Sequence, residues 1–163
     1  MAQTHLSLGS NLGDRLGNLR RAIEALAPEV VVRKVSSVYE SKPMYLAKQS
    51  LFYNIALEGE TKLPVRELFQ HIKKIEQALG RSEALRNSPR EIDIDILFYD
   101  DLILDTDDLT IPHPRMHERL FVMVPLEEIA PMVVHPVQGR PIVEIRSGLG
   151  PFGRTIWEIE ERL

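Results

Sequence analysis

The chain has 163 residues, of which 44% are hydrophobic and 27% are charged, and its formal net charge is −4 with a pI of about 5.8. This length and hydrophobic content predict a single globular domain, residues 1–163, with its own core. The acidic balance argues against a nucleic-acid-binding protein, which would present a broad basic surface. The absence of cysteine excludes disulfides, thiolate metal sites and a cysteine nucleophile.

The N-terminus has the features of neither a secretion signal nor a membrane anchor. Residues 1–8 contain no basic segment and no long apolar segment, and nowhere in the chain do about 18 apolar residues follow one another. We therefore expect a soluble, cytoplasmic protein with no membrane partner. We also expect it to be a monomer.

The chain begins with a predicted strand, helix and second strand. A short strand at Leu6–Leu8 ends at turn-forming and helix-capping residues over Gly9–Asp14. Apolar residues recur at helical spacing from Leu16 to Leu26, and Pro28 closes this helix. The β-branched residues of Val30–Val38 then predict the second strand.

A third strand and a second helix are expected next. Alternation over Leu51–Leu57 predicts a strand with Phe52 and Asn54 on the same face. The helix is expected between Pro64, in its first turn, and Gly80, at its C′ position. At 100° per residue Glu76 falls inside the apolar stripe of this helix, so its carboxylate is carried toward the sheet and needs a partner there.

Isoleucine and acidic residues alternate from Glu91 to Ile96, which predicts a half-buried strand with the isoleucines on one face. Asp93 and Asp95 then share the other face. Aspartate is a poor strand former and two like charges repel each other, and a divalent metal between them would relieve this repulsion. The alternative is an edge strand with a solvated outer face, and for two aspartates alone we would favour that alternative.

The order strand, helix, strand, strand, helix, strand matches the ferredoxin-like βαββαβ pattern. We therefore predict an α+β sandwich in which the helices pack on one face of an antiparallel sheet, followed by a C-terminal extension. In the extension we expect a short strand at Leu102–Leu104, an irregular loop over Leu109–Pro114 because its prolines block pairing, and short helical turns over Met116–Ile129. The amphipathic end includes Ile156, Trp157 and Ile159.

Two loops carry a concentration of arginine that is unusual for an acidic chain. These residues are Arg81, Arg86, Arg90, Arg115 and Arg119. Arginine matches phosphate geometry with two hydrogen bonds, and carboxylates with Mg²⁺ hold polyphosphate oxygens, so the set suggests a nucleotide triphosphate. A solvated basic face is the alternative, and it would be favoured for any one of these arginines.

Two further segments are suggestive only in combination with the others. Gly9–Gly13 joins a strand to a helix, where backbone amides can bind an anion or a polar ring edge, but it lacks the lysine of a phosphate-binding loop. It is equally consistent with a simple tight turn. His113 lies between two prolines on a stiff loop, which suits a fixed donor to phosphate, although a single loop histidine is more often incidental.

Three motifs occur together in this order: GSNLG at residues 9–13, PREIDIDIL at 89–97 and IPHPRMHERLFV at 111–122. In this combination the chain resembles the 6-hydroxymethyl-7,8-dihydropterin pyrophosphokinase family of folate biosynthesis. The resemblance continues in register from Leu6 to about Pro131. It implies an ATP-dependent diphosphotransferase that attaches diphosphate to the hydroxymethyl group of the dihydropterin and releases AMP.

The resemblance also implies roles for individual residues. Asp93 and Asp95 would hold two Mg²⁺ ions that bridge the ATP phosphates. The residues implied for the pterin are Gly9, Ser41, Met44, Phe52, Asn54 and Phe121, with the two phenylalanines sandwiching the ring and Asn54 recognising its amide edge. The residues implied for ATP are Glu76, Arg81, Arg86, Arg90, Ile96, Thr110, His113 and Arg119.

We expect the segment from Gly80 to Pro89 to be mobile without ligand and to close over both substrates. Closure would bring Arg81 and Arg86 onto the charge that develops during transfer, and Arg90, at the base of the strand, is expected to act in the same way as Arg81. We therefore count Arg81 and Arg90 as catalytic together with the two aspartates. The chain departs from many family members in having Asn87 and Ser88 where they have Trp-Gly. An aromatic cover over the pterin is therefore expected to be missing.

Two rival functions are compatible with the same topology. One is a non-catalytic ferredoxin-like module that binds a nucleotide or a metal, which would need no aromatic pair for a pterin. The other is an RNA-binding domain, which the acidic balance and the absence of an aromatic RNA-binding strand motif disfavour.

Overall fold

The computed structural model of the protein describes residues 1–42, 51–80, 91–153 and 155–163. The strands in these ranges are β1 (Ala2–Ser10), β2 (Val30–Val35), β3 (Tyr39–Ser41), β4 (Phe52–Thr61), β5 (Asp93–Tyr99), β6 (Leu104–Asp105), β7 (Thr110–Ile111) and β8 (Ile156–Glu158). The helices are α1 (Arg15–Leu26), α2 (Val65–Ala78), α3 (Leu120–Ile129) and α4 (Ile142–Gly148), and a 3₁₀ turn at Met116–Glu118 precedes α3.

The main sheet is antiparallel and has the order β5-β1-β4-β3-β8, with β2 also paired to β4. This order and the succession of elements from β1 to β5 confirm the predicted ferredoxin-like α+β fold. The predicted strand Val30–Val38 is divided into β2 and β3. Between them the Ser36 N–H donates to the Ala56 carbonyl, and Ser36 Oγ accepts from the Ala56 N–H at 2.9 Å. A side-chain oxygen therefore accepts the hydrogen bond that a backbone carbonyl accepts in a regular strand pair.

Helices α1 and α2 cover one face of the sheet, as the apolar periodicity predicts. Their buried residues pack against inward-facing side chains of β1, β4, β5 and the residue before β5, which are Leu6, Leu8, Ile55, Leu57, Ile92, Ile94 and Ile96. The helix ends also follow the predicted signals. The Asp14 side chain accepts from the Gly17 N–H at 3.1 Å at the start of α1, and Gly80 follows α2 with a φ of +91°, a conformation that favours glycine.

Helix α3 covers the opposite face of the sheet. The prediction that the helices pack on one face therefore holds only for α1 and α2. Val122, Met123 and Leu126 of α3 pack against Ala56 of β4 and Phe98 of β5 in a second core. The sequence of α3 is apolar on nearly every side because the helix lies between the sheet and α4, and no apolar stripe marks its inner face. The site described below lies between this face and the segments around α3.

The strands of the extension differ from those predicted, since only Leu104 of the predicted strand Leu102–Leu104 lies in a strand, β6. Leu104–Asp105 pairs with Thr110–Ile111 as a small hairpin, so the prediction of an irregular loop was wrong for these two residues. The prolines begin only at Pro112, after the paired residues, and therefore do not block them. The amphipathic end contains β8, which pairs with β3. In the described ranges no helix is long and apolar enough to cross a membrane.

Candidate active site

The register of the sheet places the predicted metal strand and the predicted pterin strand on either side of β1. Asp93 of β5 is paired with Gly9 of β1, and Gly9 is paired with Asn54 of β4. Directly paired residues of antiparallel strands project to the same face. Asp93, Gly9 and Asn54 therefore form one row on the α3 face, which we call the Gly9 row. Asp95, paired with Ser7, lies beside it.

The carboxylates of Asp93 and Asp95 share a face, as the alternation predicts. The isoleucines between and beside them are at most 5% exposed and lie in the core under α1 and α2, whereas 40% of the Asp95 side chain is exposed. Partial burial and the negative charges of Asp93 and Glu76 raise the pKa of Asp95 to about 7. A cation at this position would remove the repulsion that contributes to this rise.

Glu76 of α2 reaches the sheet, as its place in the apolar stripe predicts. Its side chain is 1% exposed, and Oε2 accepts from the backbone N–H of Ile94 at 2.9 Å while Oε1 accepts from Lys73 Nζ at 3.2 Å. Because β5 is an edge strand, this carboxylate satisfies an N–H on its outer side. Ile94 lies between the two aspartates, so Glu76 fixes the part of β5 that carries them.

Replacing Glu76 by alanine should lower the free energy of unfolding by about 2 kcal/mol, because the buried N–H of Ile94 loses its acceptor. Glu76→Gln should retain most of this stability, since an amide oxygen can accept the same hydrogen bond. Urea unfolding followed by circular dichroism measures both variants. Equal losses in the two would mean that the carboxylate charge, and not the hydrogen bond, stabilises β5.

His113 approaches Asp95 from the loop between β7 and α3. Its Nε2 lies 4.0 Å from Asp95 Oδ2, and its backbone N–H donates to the Leu97 carbonyl at 3.2 Å. Nδ1 accepts from the Arg115 N–H at 3.4 Å, which leaves the ring proton on Nε2. Burial and the positive charges of Arg119 and Arg115 lower the pKa of His113 to about 4, so the neutral ring can donate from Nε2 at pH 7.

Arg119 supplies positive charge to the site from the junction between the 3₁₀ turn and α3. Its Nε is buried and has no hydrogen-bond partner among the described residues, and its guanidinium carbon lies 5.6 Å from the centroid of the Phe121 ring. Its charge lowers the pKa of His113 and opposes the rise in the pKa of Asp95. Arg115 instead lies at the surface, where its Nε is 3.2 Å from a carboxylate oxygen of Glu118.

The amide of Asn54 is held in place by β3. Its Nδ2 donates to Ser41 Oγ at 2.7 Å and to the Tyr39 carbonyl at 3.5 Å. Its Oδ1 lies 3.5 Å from the position that a Cβ on Gly9 would occupy. The carbonyl oxygen therefore faces the space above Gly9, where it can accept a hydrogen bond from a ligand.

Gly9 leaves open the space between Phe52 and Asn54, which share a face as predicted. A Cβ on Gly9 would lie 3.5 Å from Phe52 Cδ1, the same distance as from the amide oxygen. Phe52 and Gly9 are both half-buried. An aromatic ring beside an open backbone surface and an amide acceptor suits a flat, polar heterocycle.

Phe121 projects from the first turn of α3, the helix that covers this face. It packs against both groups of buried residues on the α3 side, one of which contains Tyr39. Tyr39 is paired with Asn54, so Phe121 lies on the same side of the sheet as the Gly9 row. The structure thus places the two predicted aromatic residues on the sheet and on the helix above it.

Several predicted residues are placed differently or lie outside the described ranges. The Ile96 side chain is buried under α1 and α2, which leaves its backbone for any contact with ATP. Thr110 lies in β7, where its Oγ1 donates to Asp105 Oδ1 at 3.3 Å. The predictions for Met44, Arg81, Arg86 and Arg90 concern residues outside the described ranges, and so do the expected mobility and closure of the segment from Gly80 to Pro89, of which only Gly80 is described.

Tyr39, whose carbonyl accepts from the Asn54 amide, is a candidate site residue that the sequence reasoning missed. Its hydroxyl donates to Glu128 Oε1 at 2.7 Å, and the other oxygen of Glu128 accepts from the N–H and hydroxyl of Ser37. This carboxylate joins α3 to the segment that leads into β3. The period of two could have revealed Tyr39, because it lies two residues before Ser41 and therefore on the same face.

The sequence model of the 7,8-dihydro-6-hydroxymethylpterin-pyrophosphokinase (HPPK) family matches residues 5–131. The 2-amino-4-hydroxy-6-hydroxymethyldihydropteridine pyrophosphokinase of Aquifex aeolicus is 44% identical over 154 residues, which cover 93% of the chain and 96% of that protein. A folic acid synthesis protein of Dictyostelium discoideum is 47% identical over 132 residues, and these cover 81% of the chain and 20% of that protein.

Solved structures show the same fold in larger proteins. The crystal structure of Plasmodium falciparum HPPK-DHPS with pteroate matches with a TM-score of 0.73 at 18% identity, over 90% of the chain and 42% of that chain. The chain thus spans less than half of this structure and a fifth of the Dictyostelium protein, but nearly all of the Aquifex protein. It belongs to the 7,8-dihydro-6-hydroxymethylpterin-pyrophosphokinase family of ATP-dependent diphosphokinases in folate biosynthesis.

Proposed function

We propose that the chain performs the reaction of its family across the Gly9 row. In that reaction the hydroxymethyl oxygen of the dihydropterin attacks the β-phosphorus of ATP, the bond from this phosphorus to the α-phosphate oxygen breaks, and AMP leaves. The observation that carries the proposal is the pairing of Gly9 with Asp93 on one side and Asn54 on the other. In this arrangement the carboxylate proposed to bind phosphate and the amide proposed to bind the pterin lie on either side of Gly9, which has no side chain.

The Asp93 and Asp95 carboxylates fit Mg²⁺, and we propose that they hold two ions together with ATP. Carboxylate oxygen is the ligand that Mg²⁺ prefers, and protein sites for it commonly combine one or two carboxylates with substrate phosphates. In the described ranges no group of three acidic or histidine side chains could hold a metal unaided, so the phosphates would complete the coordination. When bound, Mg²⁺ neutralises phosphate charge and polarises the oxygens around the transferring phosphorus.

On the ATP side the protein contributes donors and positive charge. Nε2 of His113 lies 4.0 Å from Asp95 Oδ2, and the buried Nε of Arg119 has no hydrogen-bond partner among the described residues, so both can donate to phosphate oxygens. We propose that Arg81, Arg86 and Arg90 add to this set during transfer, and that Glu76 supports ATP binding by fixing β5. Thr110 and the backbone of Ile96 complete the proposed ATP site.

On the pterin side we propose that different residues recognise the edge of the ring and stack on its faces. We propose that Asn54 Oδ1 accepts from the N–H groups at the pyrimidine edge of the pterin, while Ser41 keeps the amide in this orientation. Phe52 and Phe121 would stack on the two faces of the ring, with Met44 as a further contact. Stacking excludes water from the ring and orients the hydroxymethyl oxygen toward the phosphates.

Gly9→Ala should weaken pterin binding about tenfold or more, because the added methyl group fills the space between Phe52 and Asn54. The fold should remain nearly as stable, since the methyl carbon would meet its neighbours at ordinary contact distances of 3.5 Å. Calorimetric titration with the pterin in the presence of an ATP analogue measures the affinity. Wild-type affinity in this variant would mean that the ring does not lie over Gly9.

The function is tested by incubating the chain with ATP, Mg²⁺ and 6-hydroxymethyl-7,8-dihydropterin. AMP and the pterin diphosphate should form in equal amounts. A matched control with a 6-methyl dihydropterin, which has no hydroxyl group to accept diphosphate, should yield neither. Release of ADP or inorganic phosphate in place of AMP would contradict a diphosphate transfer, and pterin binding without turnover would favour a binding module.

We further propose that residues 1–163 act as a single, monomeric, cytoplasmic domain. Its substrates are small molecules, and the acidic charge of −4 supports the absence of a nucleic-acid partner. Sedimentation equilibrium at several concentrations would show a constant mass near 18.6 kDa for a monomer. A mass that rises with concentration would refute this state.

A further inference from the structure

The C-terminal strand β8 lies outside the family match, which ends at residue 131, yet it extends the sheet on the pterin side. It pairs with β3 so that Ser41 is opposite Ile156 and Glu40 is opposite Trp157. Beyond the strand ends the Lys42 N–H donates to the Thr155 carbonyl at 3.0 Å. The last residues of the chain therefore form the outer neighbour of the strand that carries Ser41.

A series of hydrogen-bonded side chains supports the pairing of β8 with β3. The indole Nε1 of Trp157 donates to Glu40 Oε1 at 3.1 Å, and the other oxygen of Glu40 accepts from Arg15 Nη1 at 3.0 Å. Arg15 also donates to the Leu51 carbonyl at 2.7 Å, and its guanidinium carbon lies 3.8 Å from the centroid of the Tyr53 ring. With Glu40 at 18% exposure and Arg15 at 25%, the bonds to this carboxylate are shielded from water and charge-assisted.

The hydrogen-bonded side chains of Trp157, Glu40 and Arg15 hold β3 in position from the face opposite the site. Glu40 and Ser41 are successive strand residues, so their side chains point to opposite faces. Ser41 Oγ, which is buried, accepts the Asn54 amide at 2.7 Å. A displacement of β3 at Glu40 is thereby transmitted to Ser41 and to the orientation of the Asn54 carbonyl.

We propose that Trp157 is a positioning residue for the pterin side of the site, acting through Glu40 and β3 on Ser41 and Asn54. The inference rests on the proposed function, because it assigns Trp157 to recognition of the pterin and not of ATP. Trp157 is paired with Glu40 and therefore lies on the face of the sheet opposite the Gly9 row. Loss of its N–H donor leaves one oxygen of a shielded carboxylate without its partner and loosens the edge formed by β3 and β8.

The test is Trp157→Phe in the full-length chain, which keeps an aromatic ring and removes the N–H. We expect KM for the pterin to rise about tenfold, the loss that corresponds to a hydrogen bond to a charged group, while kcat and KM for ATP stay within about twofold of wild type. The matched control is Phe152→Leu, which alters an exposed aromatic residue of the same segment that lies 5.0 Å from Arg146 and outside the site. It should leave all three constants unchanged.

A second readout tests the inference without any substrate. Hydrogen exchange at the Lys42 N–H, which donates to Thr155, should become about tenfold faster in Trp157→Phe and stay unchanged in Phe152→Leu. If wild type forms no AMP, the proposed function fails, and this exchange rate still decides whether Trp157 fixes β3. Unchanged exchange, or an equal rise of KM for ATP and for the pterin, would overturn the positioning role.

Discussion

Asp95→Asn is expected to lower the rate of diphosphate transfer about a thousandfold or more at saturating ATP. Charge stabilisation by a bound metal contributes several kcal/mol to such a transfer, and each 1.4 kcal/mol or so corresponds to a factor of about ten. Asn keeps the size of the side chain but removes the charge that binds Mg²⁺, and Asp93→Asn should have the same effect. AMP release in a single turnover measures the loss.

The matched control for this loss is Asp101→Asn, which removes a carboxylate from the exposed turn after β5. Its rate should equal that of wild type, since the turn lies beyond the strand that carries the site. Near-normal transfer by Asp95→Asn at ordinary Mg²⁺ concentrations would refute the metal assignment. If a higher Mg²⁺ concentration fully restored the rate, this carboxylate would contribute only to the affinity for Mg²⁺.

Asp95→Asn should also make the metal-free fold more stable above pH 7. The folded chain holds the proton of Asp95 more tightly than the unfolded chain, because its pKa is raised to about 7 from an ordinary value of about 3.9. Ionisation of Asp95 therefore lowers the stability of the wild type as the pH rises through this interval. Melting temperatures in EDTA should favour the variant at pH 8 and agree at pH 4, where both side chains are neutral.

Phe121→Ala and Phe52→Ala are expected to weaken pterin binding by about ten- to a hundredfold each. Stacking of an aromatic side chain on a flat heterocycle contributes on the order of 1–3 kcal/mol. ATP binding should change far less, because neither ring is itself assigned to phosphate, although the Arg119 guanidinium carbon lies 5.6 Å from the centroid of the Phe121 ring. Titration of each variant with the pterin and with an ATP analogue separates the two affinities.

Phe152→Ala is the matched control for these substitutions, because it removes an exposed phenylalanine outside the site. It should bind both ligands like wild type. If Phe121→Ala lost affinity for ATP and pterin equally, the ring would serve the packing of its own helix, α3, against the second core and not the pterin. A melting temperature close to that of wild type would exclude this packing effect.

The parts of the site that could be predicted from sequence lie on long, regular elements. Alternation placed Asp93 and Asp95 on one face of β5, and a helical period placed Glu76 toward the sheet. In both cases the side chain direction follows from a fixed number of residues per turn or per repeat. The partner of Glu76 could not be derived, because the hydrogen bond to Ile94 depends on how α2 lies against the sheet.

The unpredicted parts depend on packing between distant segments. Helix α3 gave no amphipathic stripe, since it is buried by the sheet on one side and by α4 on the other. Strand β8 has three residues, too few for a periodic signal, and its partner β3 lies more than a hundred residues earlier. The approach of His113 to Asp95 also depends on the path of a loop.

Trp157 is the only tryptophan of the chain, and its indole is bonded to Glu40 at the edge of the sheet. Because indole emission responds to its immediate surroundings, tryptophan fluorescence reports on one short edge strand, whereas far-ultraviolet circular dichroism reports on the helices. If β8 detaches before the cores open, the two signals will not coincide during unfolding. An early fluorescence transition would then measure the attachment of the tail, and not the stability of the domain.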